Sequence, residues 1–146
     1  MFPNKDKMVR SANFLLVIFS VAPVLWLVVA FLVTFGKGGF ARDPNIVPTL
    51  LIGLALVSLA NIGLTIFVQT SKKVMSATAG YDPVGRIFLK MATGSILSEA
   101  NGIYGLVLAL LSGQIFYGIG FCIVAWSSLW WVRKRFKKNV ASLPNA

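Results

Sequence analysis

One acidic side chain stands in apolar surroundings and is the group best suited to chemistry in this sequence. Glu99 is the only glutamate, and it lies near the centre of an apolar segment covering about residues 87–111. A carboxylate in a membrane span costs at least about 2.5 kcal/mol of insertion free energy unless something compensates it. An acid in this position is therefore interpreted first as a functional group that has a partner.

Two kinds of ion chemistry are open to such a carboxyl group. Burial favours its neutral form, which would release a proton only when the surroundings become wetter or more positive. Alternatively, hydroxyl and amide oxygens close by would help the carboxylate to hold sodium. The expected ion is H⁺ or Na⁺, with no other cofactor, and the candidate ion-binding residues are Glu99, Ser58, Asn61, Ser95 and Ser98. The plainer alternative is a protonated glutamate that only hydrogen-bonds one helix to another.

Small residues accompany the acid on one helical face. Steps of three and four residues from Glu99 reach Ala92, Ser95, Gly102 and Ala109. Small side chains allow membrane helices to approach closely and gain dispersion contacts. Ala92, Gly102 and Ala109 are therefore the expected helix-packing positions.

The elements that position these residues follow from composition. The chain has 146 residues, of which 57% are hydrophobic. Its apolar segments, at about 12–35, 46–68, 83–111 and 114–132, are long enough to cross a bilayer core of about 30 Å. The sequence predicts a single membrane domain over residues 1–146, all-α, folded as a four-helix bundle. With no histidine and one cysteine, Cys122, no metal cluster is expected, and no catalytic pair or phosphate loop indicates an enzyme acting by itself.

The second segment carries a polar stripe that we expect to meet the acid. Ser58, Asn61, Thr65 and Gln69 recur at spacings of three and four. If helices two and three form an antiparallel hairpin, counting inward from the loop brings Ser58 and Asn61 to the depth of Glu99.

Basic residues predict the topology. The formal charge is +10, and 12 of the 14 basic residues fall in the N-terminal tail, the loop between the second and third spans together with the start of the third, and the C-terminal tail. The positive-inside rule places these regions in the cytoplasm. The prediction is a multi-pass protein of the cell inner (plasma) membrane with both termini cytoplasmic. Its expected partners are the lipid bilayer and either further copies of itself or other membrane subunits, and no nucleic acid is expected.

The segment around the acid resembles a known helix. Residues 96–111, Ile-Leu-Ser-Glu-Ala-Asn-Gly-Ile-Tyr-Gly-Leu-Val-Leu-Ala-Leu-Leu, are similar to the carboxylate-bearing helix of the rotor proteolipids, subunit c of F-type and V-type ATPases. The resemblance implies a subunit-c-like helical hairpin and a reversible proton or sodium site at Glu99, which an arginine of a separate stator subunit would contact. The chain would then belong to an ion-translocating ATPase-like complex.

Two other functions remain open on the sequence. One is a non-catalytic membrane scaffold or assembly protein, in which helix three forms a packing seam. The other is a small proton-coupled transporter, because four helices and one membrane glutamate also describe the small multidrug resistance transporters. In that family the acid lies in the first helix, whereas helix one here has no glutamate.

Overall fold

Four helices make up the fold, as the sequence predicts. The computed structural model describes residues 5–35, 39–40, 45–71, 80 and 82–143. The helices are α1 (Lys5–Thr34), α2 (Ile46–Thr70), α3 (Pro83–Ser112) and α4 (Ile115–Ala141). Each is long and apolar enough to cross a membrane. The all-α, multi-pass class is thus confirmed for the part of the chain that the structure describes.

Local signals set the limits of α3. The Asp82 carboxylate accepts a hydrogen bond from the Gly85 backbone N–H at 3.2 Å, and Pro83 occupies the first turn, where its missing N–H is not needed. At the other end Gly113 has φ 72°, the left-handed conformation that glycine adopts without a Cβ penalty. This turn divides α3 from α4 at the polar break that the sequence predicts.

Two helices extend beyond the apolar segments that predict them. α1 begins at Lys5 rather than near residue 12, and α4 continues to Ala141, so the basic residues 133–138 are helical rather than a tail. The reason lies on the inner faces of these extensions. Met8 and Phe136 are buried in one cluster with Met91 of α3. The helices therefore continue to pack together in the charged segments beyond the apolar spans.

The helices alternate in direction, and α3 contacts all three others. α1 and α3 run parallel, while α2 and α4 run antiparallel to α3. Gln69 Nε2 donates to the Lys90 carbonyl oxygen at 2.6 Å, and Asn61 Nδ2 donates to the Tyr104 hydroxyl at 3.0 Å. These bonds establish the antiparallel packing of α2 on α3. A specific likeness of this pair to subunit c remains a prediction.

Glycines of α3 allow neighbouring helices to approach it closely. A Cβ added at Gly105 would lie 2.8 Å from the Phe121 Cβ and 3.0 Å from the Gly118 carbonyl oxygen. Gly94 is similarly enclosed, because a Cβ there would lie 2.7 Å from Gln69 Nε2 and 3.0 Å from a Val132 methyl group. Dispersion contacts at such small residues stabilise membrane helices against one another.

Basic residues gather at one end of the bundle. The N-terminus of α1, the start of α3 and the end of α4 meet there, and Lys5 Nζ donates to the Leu143 carbonyl oxygen at 3.3 Å. Of the predicted basic set, Lys72 and Lys73 lie outside the described residues. The shared end is what the predicted topology requires, while the side of the membrane on which it lies remains a prediction.

Candidate functional site

Glu99 lies in the middle of α3, on the flank that packs against α1. Its side chain is half-buried, and Gly102, one turn further on, is covered by Pro23 and Trp26 of α1. A Cβ at Gly102 would lie 3.4 Å from Trp26 Cδ1 and 3.6 Å from the Pro23 Cβ, both ordinary van der Waals distances. The small residue keeps α1 close, and this places an aromatic ring beside the acid.

The indole of Trp26 lies beside the Glu99 carboxyl group. Its Nε1 atom is buried and has no hydrogen-bond acceptor among the described residues. Within the described residues Glu99 has no hydrogen bond or ion pair of full geometry. A small change in either side chain would allow an N–H···O bond, because each supplies what the other lacks.

The position of Trp26 depends on a proline one turn earlier in α1. Pro23 has no N–H for the Phe19 carbonyl oxygen, and its ring disturbs the regular hydrogen bonding of this part of α1. Two side chains of α4 donate to α1: Trp126 Nε1 to the Ser20 carbonyl oxygen at 3.0 Å, and the Cys122 thiol to the Pro23 carbonyl oxygen at 3.4 Å. α4 therefore holds the part of α1 that carries Trp26.

The two predicted serine ligands of α3 do not converge on the acid. The Ser98 hydroxyl lies 2.7 Å from that of Ser128 on α4 and 2.7 Å from the Gly94 carbonyl oxygen. Ser95 is fully buried, and its hydroxyl contacts the Met91 sulfur at 3.6 Å. Both hydroxyl groups serve contacts within the bundle.

The polar stripe of α2 faces α3, and its described hydrogen bonds do not involve Glu99. Ser58 and Asn61 are buried, and Asn61 bonds to Tyr104. Tyr104 lies about 140° around the helix axis from Glu99, so this bond is on another side of α3. The depth of Asn61 is close to the expected one, because Gln69 lies beside Lys90 and eight residues separate Gln69 from Asn61, as they separate Lys90 from Ser98. Contact of Ser58 and Asn61 with the acid remains a prediction.

The predicted packing positions have different surroundings. Gly102 lies at the α1 contact, and Ala109 is fully buried near Gly118 of α4. Ala92 is only half-buried. The small-residue face is thus occupied in part by helices of the same chain.

The arrangement leaves one carboxyl group with few oxygen neighbours from its own chain. The described residues contain no group of three histidine, cysteine, aspartate or glutamate side chains that would hold a metal ion. A proton needs only the carboxyl group, whereas a bound cation would need several more oxygens. The sequence analysis did not predict that Trp26 lies beside Glu99. Pro23, Trp26 itself and the small residues on one face of α3 are the features of the sequence that could have indicated it.

No protein-family model, curated protein or solved structure matches this chain.

Proposed function

We propose that this chain is a membrane subunit in which Glu99 reversibly binds an ion, and that the ion is a proton. The observation that carries the proposal is a half-buried carboxyl group at mid-helix with a buried, acceptor-free indole N–H beside it. In apolar surroundings the neutral acid is favoured, while the indole provides a donor for the ionised form. Both protonation states then have some support from the protein.

A proton is favoured over sodium by where the other oxygens lie. Ser98 is engaged with Ser128 and Gly94, and Asn61 is engaged with Tyr104. A sodium ion at Glu99 would also face the indole N–H, which is a donor and cannot act as a ligand. The described residues around Glu99 thus favour the binding of a proton over the binding of a metal cation.

The partial exposure of the Glu99 carboxyl group would allow a neighbouring subunit of a larger complex to reach it. A proton that binds and leaves needs a route, and a half-buried carboxyl group between α1 and α3 is accessible from outside the bundle. A positive side chain of a neighbouring membrane subunit would favour release by stabilising the carboxylate. This is the role that the resemblance to rotor proteolipids implies for a stator arginine.

A scaffold or assembly protein is the second candidate, and the polar contacts of α3 favour it. Gln69, Asn61 and Ser128 each bond to α3, so intramembrane polar groups here join helices. On this hypothesis Glu99 serves the same purpose toward another chain. Replacing it with glutamine would then preserve assembly, because an amide still offers a donor and an acceptor.

Reaction with a hydrophobic carbodiimide tests the proposal, because such reagents attack a protonated carboxyl group within the membrane. The reconstituted full chain should gain one adduct, located at Glu99 by peptide mass spectrometry. Formation should slow as the pH rises, and Glu99→Gln should abolish it. Asp82→Asn is the matched control and should leave labelling unchanged, because Asp82 is exposed at the start of α3.

Two outcomes would contradict the proposal. Labelling of Asp82 with Glu99 unmodified would mean that Glu99 is ion-paired or lies outside an apolar environment. Protection of Glu99 by sodium at constant ionic strength, with no protection by potassium, would replace the proton with sodium as the bound ion.

A further inference from the structure

A second polar feature lies at the basic end of the bundle, well away from Glu99. A cavity of about 240 Å³ opens between the end of α2, the start of α3 and the end of α4. Its polar lining comes from Gln69, Arg86, Lys90, Asn139 and Ser142. Water in the liquid occupies about 30 Å³ per molecule, so the cavity has room for a group of several heavy atoms.

Lys90 is the unusual member of this lining. Its side chain is nine-tenths buried, with 9% of its surface exposed, although lysine is almost never buried to this extent without a partner. No described hydrogen bond or ion pair involves its ammonium group; only its backbone carbonyl oxygen is engaged, by Gln69 Nε2. The ammonium group itself is not enclosed by protein atoms, so it faces the cavity, where an anion or polar oxygens would stabilise its charge.

The charges around the cavity favour an anion. Arg86 lies one turn before Lys90 on the same face of α3, so two basic side chains line the cavity. The C-termini of α2 and α4 also border the cavity, but each contributes only about half a negative charge. Lys90 and Arg86 are both cationic, and none of the described residues that line the cavity is acidic.

Hydrogen-bond donors are also available there. The Asn139 side-chain amide has no partner among the described residues, and Gln69 uses one of its two amide N–H groups on Lys90. The Ser142 hydroxyl donates to the Asn139 carbonyl oxygen and so can accept but not donate further. The amide groups of Asn139 and Gln69 and the Lys90 ammonium group together match several acceptor oxygens of a phosphate group.

A mainly apolar cleft lies deeper between α2 and α4. It has a volume of about 350 Å³ and is lined by Ile62, Ile66, Ile123, Val124 and Trp131, with three hydroxyl side chains. Ile66 is one turn from Thr70, which lines the basic cavity. A molecule with a phosphate group and an acyl chain would find a suitable environment for each part along the same pair of helices.

We propose that the cavity lined by Lys90, Arg86 and Asn139 is a binding site for a phosphate group, supplied either by an anionic phospholipid or by free phosphate. The position at the basic end and the apolar cleft beneath it favour the phospholipid. This site is independent of Glu99, so its failure would leave the proposed function untouched.

Native mass spectrometry of the full chain, released from nanodiscs, tests the site. The nanodiscs contain phosphatidylglycerol and phosphatidylcholine in equal amounts, and the measured quantity is the fraction of protein that retains each lipid. The wild type should retain phosphatidylglycerol preferentially. Lys90→Gln should lower that retention about tenfold, because a charge-assisted hydrogen bond is lost. Lys137→Gln is the matched control, since Lys137 is exposed at the same end and carries the same charge.

Additional measurements identify the source of the phosphate group, and further variants control for misfolding. Release of phosphatidylglycerol by millimolar inorganic phosphate, but not by chloride at equal ionic strength, would assign free phosphate as a ligand; no release assigns the lipid. Lys90→Arg should restore retention, and if Lys90→Gln does not fold, Asn139→Ala takes its place, with an expected loss of several-fold. Equal retention of the two lipids, or equal loss in Lys90→Gln and Lys137→Gln, would overturn the site.

Discussion

The hydroxyl groups of Ser98 and Ser128 lie 2.7 Å apart and join α3 to α4. Ser98 also bonds to the Gly94 carbonyl oxygen, so its hydroxyl is shared between its own helix and the neighbouring one. The pair explains why Ser98 does not serve Glu99, although it is the adjacent residue. Side chains at adjacent positions of a helix point about 100° apart, and this difference directs them to different helices.

Loss of this serine pair should destabilise the bundle slightly. We expect Ser128→Ala to cost about 0.6 kcal/mol and at most about 1.7 kcal/mol, the range found for hydrogen bonds between membrane helices. Denaturation in mixed micelles measures the change. Ser127→Ala is the control, because the exposed Ser127 hydroxyl bonds only to the Ile123 carbonyl oxygen of its own helix. Equal costs for the two variants would remove the interhelical role of the pair.

The glycine contact between α3 and α4 should be far more sensitive to added volume. Gly105→Ala places a methyl group 3.0 Å from the Gly118 carbonyl oxygen and 3.1 Å from its Cα, and these backbone atoms cannot move alone. We expect a loss of about 1–3 kcal/mol in unfolding free energy. Gly120→Ala adds the same methyl group to α4 in open space and should be tolerated. A tolerated Gly105→Ala would show that the helices are further apart than described.

Crosslinking with a reagent about as long as a tyrosine side chain should distinguish the observed direction of the α2 contact from the one expected from the sequence. In a Cys122→Ser background, cysteines at positions 61 and 104 should crosslink efficiently within one chain, since the native side chains share a hydrogen bond through the Tyr104 hydroxyl. The pair 61 and 99 should crosslink poorly, because Glu99 lies on another side of α3. The reverse result would restore the contact with Glu99 that the sequence suggests.

Membrane orientation can be tested with single cysteines at opposite ends of the bundle. Phe40 lies beside Leu110 at the end remote from the basic residues, and Ser142 follows α4 at the basic end. In intact cells carrying Cys122→Ser, an impermeant maleimide should label Phe40→Cys at once. It should label Ser142→Cys only after the cells are permeabilised. Labelling of both positions from one side would exclude the predicted topology.

The helices were predictable because their signals are local. Asp82, Pro83 and Gly113 mark the limits of α3 by rules that need only neighbouring residues. The ends of α1 and α4 were not predictable in this way. Charged residues end an apolar segment, but they do not end a helix whose other face buries Met8 or Phe136.

The surroundings of Glu99 were only partly predictable. Counting residues from a loop gives approximate depth, but the direction of a side chain depends on how the whole helix is rotated in the bundle. Asn61 lies at about the expected depth, but it bonds to Tyr104, on another side of α3 from Glu99. The approach of Trp26 depends on α1, which packs parallel to α3, and Trp26 precedes Glu99 by 73 residues, so no local pattern reports it.

Infrared difference spectroscopy in lipid bilayers measures the central claim, reversible protonation of Glu99, most directly. The carbonyl stretching band of a protonated carboxylic acid should be present at neutral pH, disappear reversibly as the pH is raised, and be absent from Glu99→Gln. It should persist in Asp82→Asn, the control at the exposed start of α3. A band that survives in Glu99→Gln, or that does not respond to pH in the wild type, would contradict a proton-binding role for Glu99.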